Sequence, residues 1–152
     1  MGTKKRVLIT GGTGMVGSRL TMLLLDRGYA VSHLSRQDNP DSAVKSYKWD
    51  VEKGYIDPAS VLTADYIVHL AGAGVADKAW TEQYKQAIID SRVKTAALLE
   101  KELKNDDHHV KAFLSASGSD YYPDKGATVI TEKDEAGSSF LSKVCLAWEG
   151  GA

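Results

Sequence analysis

Three glycines stand at three-residue intervals, Gly11, Gly14 and Gly17, directly after the short apolar run Val7-Leu8-Ile9. Glycine at the first position lets the chain turn sharply where a β-carbon would clash. At the second position it lets the backbone approach a pyrophosphate, and at the third it lets a helix pack closely on the sheet. A helix that begins there offers free N–H groups and the positive end of its dipole to phosphates. The spacing therefore predicts a dinucleotide-binding turn, although it is Gly-x-x-Gly-x-x-Gly rather than the more usual Gly-x-Gly-x-x-Gly.

The end of the second predicted strand bears on which dinucleotide is bound. An acidic residue there usually binds the ribose 2′-OH of NAD, but this chain has Ser35 and Arg36. The planar guanidinium of arginine can pair with a 2′-phosphate, which favours NADP and leaves NAD possible. The alternative is that Arg36 is a solvated loop cation. We also expect Asp50 to accept from the adenine amino group, and Gly72 to let the backbone pass close to the cofactor. The predicted cofactor contacts are Gly11, Thr13, Gly14, Met15, Val16, Gly17, Ser35, Arg36, Asp50, Leu70, Ala71 and Gly72.

Composition bounds the class of protein. The chain has 152 residues, of which 43% are hydrophobic and 26% charged, which is typical of one globular domain with a real core. A net charge of -1 argues against a dominant nucleic-acid surface. Cys145 is the single cysteine, so an intrachain disulfide is excluded and nothing indicates an oxidising compartment. We therefore expect a cytoplasmic protein with no nucleic-acid or membrane partner.

Strands alternating with helices are typical of right-handed βαβ units on a parallel sheet. The pattern predicts an α/β, Rossmann-type doubly wound sheet with strand order 3-2-1-4-5, and ligands at the carboxyl ends of strands one and four. The predicted elements are strand one at Arg6–Thr10, a helix at Gly14–Arg27, strand two at Ala30–Leu34, a loop at Gln37–Ser42, strand three at Ser46–Trp49, a helical turn at Pro58–Leu62, strand four at Tyr66–Leu70, a long helix at Thr81–Leu103, strand five at Val110–Ser115, a loop at 118–138 and a last helix from Ser138 or Ser139.

The predicted elements stop short of a complete two-halved nucleotide fold, which normally has a sixth strand. The chain ends inside or just after its last predicted helix, at Glu149-Gly150-Gly151-Ala152. We therefore expect residues 1–152 to be one NAD(P)-binding domain that is truncated before a C-terminal substrate-binding lobe.

Several segments together resemble a known family. The run Thr10–Gly17 is similar to the fingerprint of extended short-chain dehydrogenase/reductases, His69–Ala73 to the segment after their fourth strand, and Ser115-Ala116-Ser117 to the end of strand five that carries their catalytic serine. Further segments resemble the atypical epimerase-like subgroup, often described as NAD-dependent sugar-nucleotide epimerases and sometimes as cell-division inhibitors. These segments are Trp80-Thr81-Glu82, Asp90-Ser91-Arg92-Val93, Tyr121-Tyr122, Phe140-Leu141, Val144-Cys145 and Trp148-Glu149.

The resemblance implies a catalytic serine, an acid/base tyrosine and, four residues after it, a lysine that lowers the tyrosine pKa and holds the nicotinamide ribose. Ser117 matches the serine. Alignment on Trp148-Glu149 places Leu141 and Cys145 at the other two positions, whereas alignment on Ser142-Lys143 places Ser139 and Lys143 there. Neither alignment supplies a tyrosine. An asparagine that the family uses in the long helix is replaced by Arg92.

Tyr121 and Lys125 have the tyrosine–lysine spacing, but Pro123 disfavours a helix between them. Tyr121 or Tyr122 is instead a candidate relocated acid/base, with an aromatic loop that covers the pocket as the alternative. His33 and His69 fall in predicted buried strands and are expected to be hydrogen-bonded core residues. The mid-helix Cys145 is also expected in the core, and no metal site is predicted.

Two functions follow from these expectations. The first is an NADP-dependent epimerase, dehydratase or reductase acting on a small molecule such as a nucleotide sugar, with Ser117 orienting the reacting oxygen. The second is a protein that senses NADP(H) and lacks catalysis, which the absent tyrosine–lysine pair favours. The resemblance also implies a possible homodimer formed through the two long helices.

Overall fold

The structure is a computed structural model that describes residues 4–37, 42–105 and 107–151. The elements follow one another as β1 (Arg6–Thr10), α1 (Met15–Asp26), β2 (Ala30–Ser35), β3 (Lys45–Asp50), β4 (Tyr55–Ile56), α2 (Pro58–Leu62), β5 (Tyr66–His69), α3 (Glu82–Leu103), β6 (Ala112–Ser115) and α4 (Phe140–Gly150). The predicted loop Gln37–Ser42 lies largely outside the described residues.

The six strands form one sheet in the order β4-β3-β2-β1-β5-β6. Every neighbouring pair is parallel except β3 and β4, which pair antiparallel with Trp49 opposite Ile56 and Asp50 opposite Tyr55. The five predicted strands correspond to β1, β2, β3, β5 and β6, so the predicted doubly wound order is confirmed. The sequence did not predict β4, because a strand of two residues is too short to show a period.

The sheet is buried on both faces, which explains the continuous apolar run of β1. Leu8 packs on one face with residues of the neighbouring strands, α2 and α3. Val7 and Ile9 pack on the other face against Val31 and the α1 residues Leu20 and Leu24. Alternate side chains of a strand point to opposite faces, so this single run anchors both helical layers.

The helix ends agree closely with the sequence signals. The Thr81 side chain accepts from the backbone N–H of Tyr84 at 3.2 Å and caps α3, as an N-cap threonine does. After the C-terminal end of α1, Gly28 has a φ of +82°, the left-handed conformation that glycine adopts without strain. Among the described residues, no helix has the length and apolar character required to cross a membrane.

Candidate dinucleotide-binding site

The turn between β1 and α1 has the backbone geometry that its glycines predict. Gly11 has a φ of +68°, and a β-carbon there would lie 3.0 Å from the carbonyl carbon of Leu70. Gly14 donates its N–H to the Gly11 carbonyl at 3.1 Å and then becomes the N-cap of α1. In the part of the chain that the structure describes, no side chain caps the N-terminal end of α1. The first-turn N–H groups are therefore available to an external acceptor.

Gly17 differs from its prediction in the contact that requires it. A β-carbon there would overlap the carbonyl oxygen of Gly11 and lie 2.7 Å from the Cα of Gly12. The glycine therefore lets α1 pack on its own preceding turn, whereas we predicted that it served packing on the sheet. The physical reason is that the tight turn lies against the first turn of α1, so the backbone atoms of Gly11 and Gly12 are the nearest neighbours of Gly17.

The side chain of His33 occupies the space beside Gly12, a glycine whose role the sequence did not predict. A β-carbon at Gly12 would overlap the imidazole ring of His33, which enters from β2. The Nε2 atom of His33 lies 2.8 Å from the Thr21 hydroxyl, and burial lowers the pKa of this histidine. The prediction that His33 is a hydrogen-bonded core residue is confirmed.

Thr10 ties the end of β1 to the exit of β5. Its buried hydroxyl oxygen accepts from the N–H groups of Leu70 and Ala71, both at 3.1 Å, and lies 2.7 Å from His69 Nδ1. Because both lone pairs of this oxygen are used, its proton must go to Nδ1. His69 therefore carries its own proton on Nε2, which lies 3.3 Å from the Thr95 hydroxyl.

His69 is fully buried, and this burial lowers its pKa to about 4. The ring is consequently neutral at pH 7, as the tautomer assignment requires. The prediction that His69 is a satisfied core residue is confirmed. The bridge from Thr10 to His69 fixes the two strand ends between which the strand order reverses, which is where ligands of such sheets bind.

Ser35 and Arg36 lie at the carboxyl end of β2, next to the end of β1. Ser35 Oγ accepts from the backbone N–H of Gln37 at 3.2 Å. Arg36 is exposed and forms no ion pair with another described residue. Its guanidinium thus has the exposure that contact with a phosphate requires.

Asp50 is engaged in a local turn one strand further out. Its carboxylate accepts from the backbone N–H of Lys53 at 3.1 Å and lies 3.3 Å from the Lys53 ammonium group. The backbone hydrogen bond is the main reason why the pKa of Asp50 is lowered. The side chain therefore shapes the turn between β3 and β4, a role that the sequence analysis did not anticipate.

On the β5 side, Gly72 leaves room for Arg92. A β-carbon at Gly72 would lie 2.8 Å from the guanidinium carbon of Arg92. Arg92 Nη1 donates to the carbonyls of Ala73 and Ile88, each at 3.0 Å. The preceding residue of α3, Ser91, accepts from the Ala73 N–H at 2.8 Å. Two consecutive residues of α3 thus hold both backbone groups of Ala73.

The predicted catalytic serine has a carboxylate partner. Ser117 Oγ donates to Glu149 Oε1 at 2.5 Å, and both residues are exposed. Glu149 lies on α4, where Phe140 and Leu141 occupy the first turn and Cys145 is buried. Burial raises the pKa of the Cys145 thiol. The expected core position of Cys145 is confirmed, and α4 contains no tyrosine.

Tyr121 and Tyr122 follow the end of β6, with Tyr121 in the 3-10 turn Ser119–Tyr121. Their rings meet edge to face at 4.9 Å. Desolvation, followed by the nearby Glu132, raises the pKa of Tyr122. Lys125 pairs with Asp134 at 2.5 Å. Because the chain here is not an α-helix, Tyr121 and Lys125 do not form a one-turn pair, as predicted from Pro123.

Known proteins are similar in sequence to this chain over most of its length. A sequence profile described as the NAD dependent epimerase/dehydratase family matches residues 7–143. An epimerase family protein of Mycobacterium bovis is 32% identical over 143 residues, which cover 94% of this chain and 46% of that protein. One from Staphylococcus haemolyticus is 36% identical over 148 residues, covering 95% and 48%.

Solved structures give the same result. The human epimerase family protein crystallised with NADPH has a TM-score of 0.81 and 30% identity, covering 97% of this chain and 48% of that one. A nucleoside-diphosphate sugar epimerase from Corynebacterium glutamicum has a TM-score of 0.78 and 31% identity, covering 98% and 30%. The chain thus spans about half the length of the curated relatives it matches. With its sequence match, its doubly wound sheet and its glycine turn, the chain belongs to the NAD dependent epimerase/dehydratase family.

Proposed function

We propose that this chain binds NADP(H) across the carboxyl ends of β1 and β5, as the cofactor-binding portion of an epimerase, dehydratase or reductase. The observation that carries the proposal is the turn from Gly11 to Gly17. A β-carbon at Gly11 or Gly17 would fill the turn, and no side chain of a described residue caps the N-terminal end of α1. An uncapped helix end behind a glycine turn fits a pyrophosphate, because the backbone N–H groups and the helix dipole both favour a bound anion.

The remaining predicted contacts surround this turn. Thr13, Met15 and Val16 are exposed at the start of α1, with Met15 90% and Val16 61% exposed. Exposed apolar side chains beside a nucleotide site supply contacts to the sugar and base. Ser35 and Arg36 would face the adenosine end, and Asp50 the adenine. Leu70, Ala71 and Gly72 would line the nicotinamide half.

Arg36 supports NADP(H) over NAD(H). A guanidinium at the end of β2 attracts a 2′-phosphate, where an acidic residue would repel it. The human relative that was crystallised with NADPH is consistent with this preference. The similar protein from Corynebacterium glutamicum, described as a nucleoside-diphosphate sugar epimerase, supports a nucleotide sugar as the substrate.

The chemistry that a nicotinamide cofactor supplies is hydride transfer at its ring. In this chain, Ser117 would orient the reacting substrate oxygen, because it follows the end of β6 at the same edge of the sheet. Glu149 fixes the Ser117 hydroxyl through the 2.5 Å hydrogen bond. The raised pKa of Tyr122 keeps its phenol protonated at neutral pH. A phenol with a raised pKa is suited to donate a hydrogen bond but gives up its proton less readily than an ordinary tyrosine, so Tyr121 is the neighbouring candidate for acid/base work.

A second candidate function is an NADP(H) sensor without catalysis. It is favoured by α4, whose first turn carries Phe140 and Leu141 and whose next turn carries the buried thiol of Cys145. A tyrosine with a lysine one turn later would be expected at the start of this helix in an active member of the resembled family. Both functions require the same cofactor site.

Calorimetric titration with NADPH and NADH, beside an Arg36→Ala variant, tests the shared cofactor site. We expect NADPH to bind about tenfold more tightly than NADH, and Arg36→Ala to remove that difference. Absence of binding to either cofactor would contradict the proposal. Conversion of nucleotide sugars in the presence of NADP⁺ or NADPH, followed by analysis of the sugar products because an epimerase regenerates its cofactor, then separates the enzyme from the sensor when the natural protein is compared with Tyr121→Phe or Tyr122→Phe.

A further inference from the structure

Arg92 is a buried cation without a carboxylate partner. It is 8% exposed, and no acidic side chain of another described residue lies within 4 Å of it. Its Nη1 atom donates to two backbone carbonyls, but its buried Nε–H has no acceptor among the described residues. Burial of a charge without a counter-ion is costly. The contacts of Arg92 with other described residues therefore do not explain why a charged side chain is buried at this position.

The surroundings of Arg92 include two of the six segments that resemble the epimerase-like subgroup. Arg92 belongs to the segment Asp90–Val93 on α3, and its guanidinium carbon lies 4.6 Å from the ring centre of Trp148 on α4. The indole Nε1–H of Trp148 is also buried without an acceptor. One turn before Trp148 lies Cys145, which is buried.

According to the alignment on Trp148-Glu149, Cys145 occupies the position of the resembled family's lysine, whereas the alignment on Ser142-Lys143 places the exposed Lys143 there. Under the first alignment, the charged group at the junction of α3 and α4 is Arg92, whose guanidinium packs on Trp148. Arginine and lysine differ in shape but both supply donors and a full positive charge.

The same guanidinium lies directly beneath the loop that leaves β5. It is the nearest group to the space beside Gly72, and together with Ser91 it fixes Ala73. A dinucleotide bound at the point where strand order reverses must cross from the β2 side to the β5 side. The half of the cofactor beyond the pyrophosphate would therefore lie beside Gly72 and Ala73.

We propose that Arg92 is the positioning residue for the nicotinamide half of the cofactor, because its buried guanidinium holds the backbone that leaves β5. The inference rests on the proposed binding of NADP(H). Arg92 acts through the backbone of Gly72 and Ala73, which it holds in place, and through its charge beneath the nicotinamide ribose.

The test compares two ligands in the same titrations: NADPH, and adenosine 2′,5′-bisphosphate, which lacks the nicotinamide half. We expect Arg92→Met to weaken NADPH binding about tenfold and to leave the bisphosphate affinity unchanged, since a charge-assisted contact is lost only in the nicotinamide half. Arg92→Lys should recover most of the NADPH affinity. Lys94→Met, an exposed lysine two residues further along α3, is the matched control and should change neither affinity.

Each other result overturns the inference in a distinguishable way. Equal weakening of both ligands by Arg92→Met would mean that Arg92 only maintains the fold. Unchanged NADPH affinity in Arg92→Met would mean that its charge is irrelevant to the cofactor. If the natural chain bound neither ligand, the proposed function itself would fail, and the inference with it.

Discussion

The two halves of the candidate dinucleotide-binding site differ in the groups that form them. On the side of β1, α1 and β2, the site consists mainly of backbone: the turn at Gly11, the space at Gly17 and the uncapped end of α1. On the side of β5, β6 and α4, it consists of side chains, such as Ser117 with Glu149. The first half keeps the complete pattern expected for nucleotide binding, whereas the second lacks a tyrosine–lysine pair. Under the proposed function, cofactor binding and catalysis are therefore separable properties.

The backbone half should be broken most severely at Gly17. In Gly17→Val, the new side chain would collide with the Gly11 carbonyl and the Gly12 backbone, so we expect a loss of about 3 kcal/mol in unfolding free energy, as for severe overpacking. Urea unfolding measures this loss. Gly150→Ala is the control, because a β-carbon there meets nothing within 4 Å and should not destabilise the fold. A Gly17→Val protein as stable as the natural one would contradict the close packing of α1 on the turn.

The bridge between the halves should be sensitive to acid. The pKa of His69 is near 6.5 in the unfolded chain and about 4 in the folded one. Between these values the unfolded chain binds a proton that the folded chain does not. The free energy of unfolding therefore has its full value above pH 6.5, and it falls by roughly 3 kcal/mol between pH 6.5 and pH 4.

Urea midpoints measured from pH 7.5 to pH 4 check this dependence on His69. His69→Gln should flatten the curve, even if the variant is less stable at pH 7. His109→Gln changes an exposed histidine and should leave the shape of the curve as it is. The same slope in His69→Gln as in the natural chain would show that another group causes the acid sensitivity.

The adenosine end of the backbone half should depend on one side chain. In Arg36→Ala, the partner proposed for the 2′-phosphate is lost, so NADPH affinity should fall about tenfold while NADH affinity stays the same. Calorimetry of both cofactors measures the difference. Arg27→Ala, at the C-cap of α1, is a control at the far end of that helix. Equal weakening of both cofactors by Arg36→Ala would mean that Arg36 does not read the 2′-phosphate.

The smallest effect on cofactor binding should come from the tyrosines of the second half. Tyr121→Phe and Tyr122→Phe each remove a single hydroxyl on the loop after β6, so NADPH affinity should change by less than about twofold. Fluorescence titration with NADPH is sufficient for this comparison. A larger loss would place these hydroxyls in the cofactor site and would weaken the separation between binding and chemistry.

The sequence predicted most of the fold because its signals were local. The apolar run of β1, the glycines after it and the Thr81 cap of α3 each report on their own neighbourhood. The two-residue strand β4 was missed because it has no periodicity, and it forms only because it pairs with β3. The contacts beside Gly12 and Gly72 could not be predicted, since each glycine leaves room for a side chain that comes from another element. The close approach of Gly72 to the cofactor stays a prediction.

Local chemistry determined the family, the parallel sheet and the position of the nucleotide turn, all of which follow from residue types a few positions apart. Tertiary structure alone decided which distant groups meet: Thr10 with His69, Ser117 with Glu149, and Arg92 with Trp148. These pairs are separated by dozens of residues. The pairing of β1 with β5 brings Thr10 beside His69, and the packing of α4 brings Glu149 and Trp148 to their partners. No spacing along the chain encodes such contacts, because they depend on how whole elements are oriented.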